Sequence, residues 1–180
     1  MSTTRPAGKR AHMRRLLLVI ALALLVLLVS GSIYGYYTRH GMRPVAEREI
    51  GSPTAPQRVL IATQGSLFKD RLVTSLVTRV QGPDTYVRVI DMGTLGQLDA
   101  GDWQAIVLVH TWEFGNPPAA AGDFIAAAPD PRRILAVTTS GMGREKLPGV
   151  DAISSASVVD DVPALVYELG ARIDALLAPP

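Results

Sequence analysis

Residues 59–69 read VLIATQGSLFK. Aliphatic residues run from Val59 to Ala62, and Thr63 closes the run. Gln64, Gly65 and Ser66 follow, and the apolar residues then change period. From Ser66 to Val80 they fall at Phe68, Leu72, Val73, Leu76, Val77 and Val80, one stripe at helical spacing. The stretch reads as a buried strand over 58–63, a Gly/Ser turn, and an amphipathic helix stopped by Gly82-Pro83-Asp84. A strand entering a helix through such a turn is the repeating unit of an α/β domain. Its helix N-terminus is a natural place for an anion.

The alternation continues toward the C-terminus. Residues 86–91 (YVRVID) alternate and predict a half-covered strand near a sheet edge. Residues 92–104 are too rich in glycine for a long helix. Residues 105–110 (AIVLVH) are the most uniformly apolar run of the domain and predict a central strand covered on both faces. Asn116 is placed to cap a helix that opens on Pro117-Pro118 and runs to Ala128. Residues 133–138 (RILAVT) predict another buried strand, followed by the turn-rich SGMGREKLPG and a short strand over 150–154. Asp160 or Asp161 caps a last helix with apolar positions Leu165, Val166, Leu169, Ile173, Leu176 and Leu177. The expected fold is α/β, a three-layer sandwich with a parallel sheet over residues 58–178. Ligands of such sheets sit outside the carboxyl ends of the strands, where the strand order reverses. Chemistry therefore belongs to the loops at 63–69, 110–116 and 138–149.

Together these loops resemble the flavodoxin-like family, whose order of elements residues 58–178 follow. ATQGSLFK stands where flavodoxins carry a hydroxyl-rich phosphate loop. DWQAIVLVHTWEFGNPP, at 102–118, looks like the family's third strand, an aromatic-bearing loop and a proline-opened helix. ILAVTTSGMG, at 134–143, looks like the fourth strand and the loop beside the flavin's far side. The resemblance implies FMN. Its phosphate would lie on Thr63, Gln64, Gly65, Ser66 and Lys69, and its ring between Thr111, Trp112 and Glu113 on one side and Thr139, Ser140 and Gly141 on the other. The first loop departs from the family's pattern: Ala62, Gln64 and Leu67 stand where hydroxyl residues are expected.

The residues carry their own argument. A phosphate needs backbone N–H groups at a helix N-terminus, a glycine permitting close approach, and a hydroxyl or cation. Gly65, Ser66 and Lys69 offer all three. Lys69 lies in the first helical turn, where a cation opposes the helix dipole, so an anion explains it better than helix stability does. The plainer alternative makes Ser66 an N-cap and Lys69 a solvated side chain. Trp112 follows a strand end and can stack on a planar ring, while Phe114 folds back on the core. His110 and Glu113 have acid–base chemistry, or orient a substrate. No catalytic residue is singled out. Residues 151–157 (DAISSAS) place serines to line the cleft or cap the last helix.

The N-terminus is a separate matter. The chain's net charge of +2 divides unevenly: residues 1–44 carry seven basic and no acidic residues, whereas 51–180 carry ten basic and fourteen acidic. A mildly acidic domain argues against a nucleic-acid binder. Residues 16–37 hold no charge and, as a helix, span roughly 33 Å, about one bilayer core. Residues 1–15 form a basic flank, 16–37 a transmembrane signal anchor closed by Tyr34, Tyr36 and Tyr37, and 38–57 a tether. Five basic residues precede the segment and three follow it, which places the N-terminus in the cytoplasm and the domain outside. A secreted protein whose signal peptide is cleaved near Ser30-Gly31-Ser32 is the rival. With no cysteine and three histidines, no metal site is expected. The expected function is a membrane-tethered FMN protein in electron transfer, an oxidoreductase or carrier with a redox partner protein. The alternative is a flavin-free binding or scaffold module.

Overall fold

The computed structural model of the chain describes residues 7–40, 42–112 and 115–179, and within the first helix the side chains of 12–35. The chain forms two compact units, Met1–Gly41 and Met42–Pro180. The described residues of the first unit form one helix, α1 (Ala7–His40). Within His12–Gly35 an 18-residue window reaches a mean hydropathy of 3.0, and the large apolar side chains from Met13 to Tyr34 are exposed. Among the described residues this is the one helix long and apolar enough to cross a membrane.

The second unit is a mixed, mostly parallel sheet covered on both faces. Its elements are β1 (Arg48–Ile50), β2 (Gln57–Thr63), α2 (Leu67–Val80), β3 (Thr85–Asp91), β4 (Ala105–Thr111), α3 (Ala119–Ala127), β5 (Ile134–Thr139), β6 (Asp151–Ser155) and α4 (Val162–Leu177). The strand order is β1-β3-β2-β4-β5-β6. All neighbours run parallel except β1, which pairs antiparallel with β3. The five parallel strands, numbered along the chain, thus lie in the order 2-1-3-4-5, the flavodoxin-like winding.

Period-two alternation divides the core. Val59, Ile61, Val87, Val89, Val107 and Val109 point to one face, where Phe68, Leu72 and Leu76 of α2 and Leu165, Leu169 and Ile173 of α4 cover them. Leu60, Ala62, Ile90, Ile106, Leu108 and Ala136 point to the other face. Met92, Leu95, Trp103, and Phe124 of α3 cover them. Burial on both faces is why β2, β4 and β5 read as aliphatic runs. Residues 92–97 and 100–102 form 3₁₀ turns, with Asp91 and Asp99 accepting from Gly93 and Gly101 N–H, which explains a glycine-rich stretch with no full helix.

Several expectations need correction. Asn116 does not cap α3, which begins at Ala119 with Pro118 at its cap position and no side-chain cap bond. Neither Asp160 nor Asp161 caps α4 through its side chain, because a 3₁₀ turn over Val159–Asp161 leads into the helix. Residues 42–57, expected as part of a tether, fold with the domain and contribute β1. A three-residue edge strand carries too little periodic signal to be seen in sequence. β3 lies near the sheet edge as expected, with only β1 outside it, but it is covered on both faces and not on one: Val87 and Val89 enter one core and Tyr86 and Ile90 the other.

Candidate functional site

The strand order reverses between β2 and β4, and the site is built at the carboxyl ends of β2, β4 and β5. Ser66 is the N-cap of α2, its hydroxyl accepting from Lys69 N–H at 3.4 Å. The N–H groups of Leu67 and Phe68 fall in the first turn, where a helix supplies no partner of its own. Lys69 turns inward instead of toward water and is 1% exposed. Its ammonium donates to Thr111 Oγ1 and lies 3.1 Å from Met42 Sδ.

From Lys69 a hydrogen-bonded relay crosses the strand ends, and its donor directions follow from the partners. Thr139 Oγ1 donates to His110 O at 3.1 Å. Thr139 has thereby used its one hydroxyl proton, so Thr111 Oγ1, which accepts from Lys69, is the donor across the 3.0 Å to Thr139 Oγ1. Gln64 braces the same point, its Oε1 accepting from Thr111 N–H at 2.7 Å. Trp112 N–H donates to Thr139 O at 2.7 Å, so the strand pairing runs one residue into the Trp112 loop.

His110 lies beneath this relay, fully buried. Thr138 Oγ1 accepts from Leu147 N–H at 3.2 Å, which leaves its own proton for His110 Nε2, 3.0 Å away. Nε2 is thus an acceptor, and Nδ1 carries the ring proton toward Thr111 O at 3.4 Å. Burial, aided by the charge of Lys69, pulls the imidazole pKa down to about 4. His110 is a neutral structural group and not an acid or base facing a ligand.

The expected site residues are placed as follows. Gln64, Lys69, Thr111 and Thr139 come together in the relay. Thr63 is buried, its hydroxyl turned to Gln64 O at 3.2 Å. Trp112 is half-buried at the end of β4. Glu113 and Phe114 lie outside the described residues. Ser140 Oγ donates to Glu145 Oε2, which holds the Glu145 carboxyl below its usual range. Ser140 N–H donates to Ser155 O at 3.1 Å. Gly141 is exposed, and a Cβ there would meet nothing within 4 Å. The serines of 151–157 brace loops and cap no helix: Ser154 Oγ donates to Glu145 O, and Ser155 Oγ accepts from Ser157 N–H.

The participants that the sequence did not reveal are Met42 and Arg43. Gly65 exchanges two backbone hydrogen bonds with Arg43, each 2.9 Å. A Cβ on Gly65 would lie 2.5 Å from Arg43 O. The backbone at 65 is not left-handed, so the close approach of this second chain segment is what requires glycine. Lys69 and the first-turn N–H groups of Leu67 and Phe68 share this helix N-terminus, while the Gly65 N–H is held by Arg43.

No family model matches the chain, and no curated protein does. Solved structures do. The flavodiiron core of Flv1 from Synechocystis sp. PCC6803 superposes with a TM-score of 0.46 at 13% identity, over 69% of this chain and 36% of that one. The chain thus spans about a third of that protein's length. General stress protein 14 from Treponema denticola, in complex with FMN, gives 0.40 at 12% identity, over 67% and 99%. Oxidised flavodoxin 2 from Bacillus cereus gives 0.39 at 17% identity, over 66% and 98%. The strand order itself, five parallel strands in the order 2-1-3-4-5 with helices on both faces, makes residues 42–180 a flavodoxin-like fold.

Proposed function

We propose that the domain binds a planar, phosphorylated ligand of the FMN class at the switch point and works in electron transfer beside a membrane that α1 enters. The observation that carries this reading is Lys69. It is a buried ammonium in the first turn of a helix, where the helix dipole disfavours a cation, at the reversal of strand order. Its place there sets a positive charge beside the terminus at which a phosphate would bind. The N–H groups of Leu67 and Phe68 and the Lys69 charge would hold the phosphate. Trp112 would stack on the ring, and the loop of Thr139, Ser140 and Gly141 would border its far edge. FMN, when bound, supplies the redox chemistry, and the protein supplies position and electrostatics.

One observation favours a second reading, a flavin-free binding or scaffold module. Ser66 is spent as an N-cap and the Gly65 N–H is spent on Arg43. The visible absorption of the purified full-length protein, titrated with FMN, separates the two. A perturbed flavin spectrum that saturates at one equivalent supports the first. A flavin spectrum identical to that of free FMN throughout the titration leaves the scaffold reading.

A further inference from the structure

We propose that residues 42–50 form a clasp that closes over the Gly65 loop and must open before the loop can take a phosphorylated ligand; this rests on the FMN reading above. The clasp holds a loop N–H before the helix and lies against the cation of the site. Arg43 takes the Gly65 N–H and donates to its carbonyl, both at 2.9 Å. Met42 Sδ lies 3.1 Å from the Lys69 ammonium and covers that side of it. Arg43 also pairs with Asp70 of α2 at 2.9 Å.

The clasp is also built to separate. Residues 43, 44 and 46–49 are exposed, and only Val45 and Ile50 pack on the core. The Arg43–Asp70 pair is exposed and contributes little, and the pairs that Glu47 and Glu49 make with Arg88 of β3 lie at the surface of the sheet edge. Val45 N–H donates to Asp91 Oδ2 at 2.8 Å, and β1 holds β3 over only three residue pairs. A cavity of about 350 Å³ lies between the clasp and α2, lined by Arg43, Val45, Thr63, Gly65, Asp70 and Val73. Beneath it β2 is anchored between two strands and is fully buried from Val59 to Ala62. A segment with few apolar contacts and exposed hydrogen bonds opens first, independently of the core. A ligand that binds only the open state is weakened by the fraction of closed protein.

The test uses the full-length protein in detergent micelles, with FMN as the probe. Arg43→Pro removes the N–H that bonds Gly65 O and the guanidinium that pairs with Asp70. It should tighten FMN binding at least tenfold. Met42→Ala, which leaves the backbone pairing intact, should tighten it a few-fold. In the wild type, FMN should raise amide hydrogen exchange across 42–50 while protecting 65–69. Unchanged FMN affinity in both variants, with exchange across 42–50 unmoved by FMN, overturns the clasp and leaves the FMN reading standing. Failure of FMN to bind the wild type and both variants overturns the FMN reading and the clasp together.

Discussion

His110 sits one residue before the relay and ties stability to pH. Its neutral form is native, with a pKa near 4 against an ordinary value of 6.5. The unfolded chain takes the proton first, so the contribution of His110 is intact above pH 6.5. It is lost as pH falls from 6.5 toward 4, by roughly 3 kcal/mol at 1.36 kcal/mol per pH unit. Urea unfolding of wild type and His110→Asn at pH 7 and pH 4.5 reads this directly. The wild type should lose roughly 2–3 kcal/mol more than the variant between the two values; equal losses would mean that the ring takes its proton inside the fold. Trp112 is a residue of the other kind, half-buried and outside both core clusters. Trp112→Ala should weaken FMN binding by about 1–3 kcal/mol, the range for stacking on a planar base, with little change in stability. A folded variant with wild-type affinity takes Trp112 out of the site.

At the scale of elements, the reading from sequence succeeded where a residue's place follows from periodicity. β2, β4 and β5 are apolar runs because both faces are covered. α2 is visible because its stripe from Phe68 to Val80 faces one core. The buried Lys69 was legible as a misfit with the helix dipole, though not as a donor to Thr111. Lys69 in the first turn of α2 and Thr111 at the end of β4, 42 residues apart in sequence, meet there only through the parallel pairing of β2 with β4. The clasp was not legible, since its hold on Gly65 is through backbone atoms, which leave no side-chain pattern. That hold makes a prediction for Gly65→Ala. The loop's own backbone accepts alanine, but the added Cβ meets Arg43 O at 2.5 Å, so the clasp gives way first. Amide exchange across 42–50 should rise sharply while α2 stays protected, at a stability cost of about 1 kcal/mol. Loss of protection throughout α2 would show instead that the turn itself needs glycine.

The whole molecule joins an apolar helix with a basic flank to a mildly acidic α/β domain. The five-to-three excess of basic residues before the apolar segment argues that the N-terminus stays in the cytoplasm. A reporter fused after Pro180 should therefore be active outside it; activity only in the cytoplasm would reverse the orientation and remove any extracytoplasmic role. The central claim, however, is the phosphate site at the switch point, with Lys69 in the first turn of α2 as the cation. The most direct test compares the equilibrium affinity of the full-length protein for FMN and for riboflavin, which lacks the phosphate. One charge-assisted hydrogen bond is worth about 1.5–3 kcal/mol, so FMN should bind at least tenfold tighter, and Lys69→Ala combined with Ser66→Ala should erase most of that preference. Equal affinity for FMN and riboflavin would contradict the account and the clasp with it, and leave the turn at Gly65 as a backbone contact for Arg43 alone.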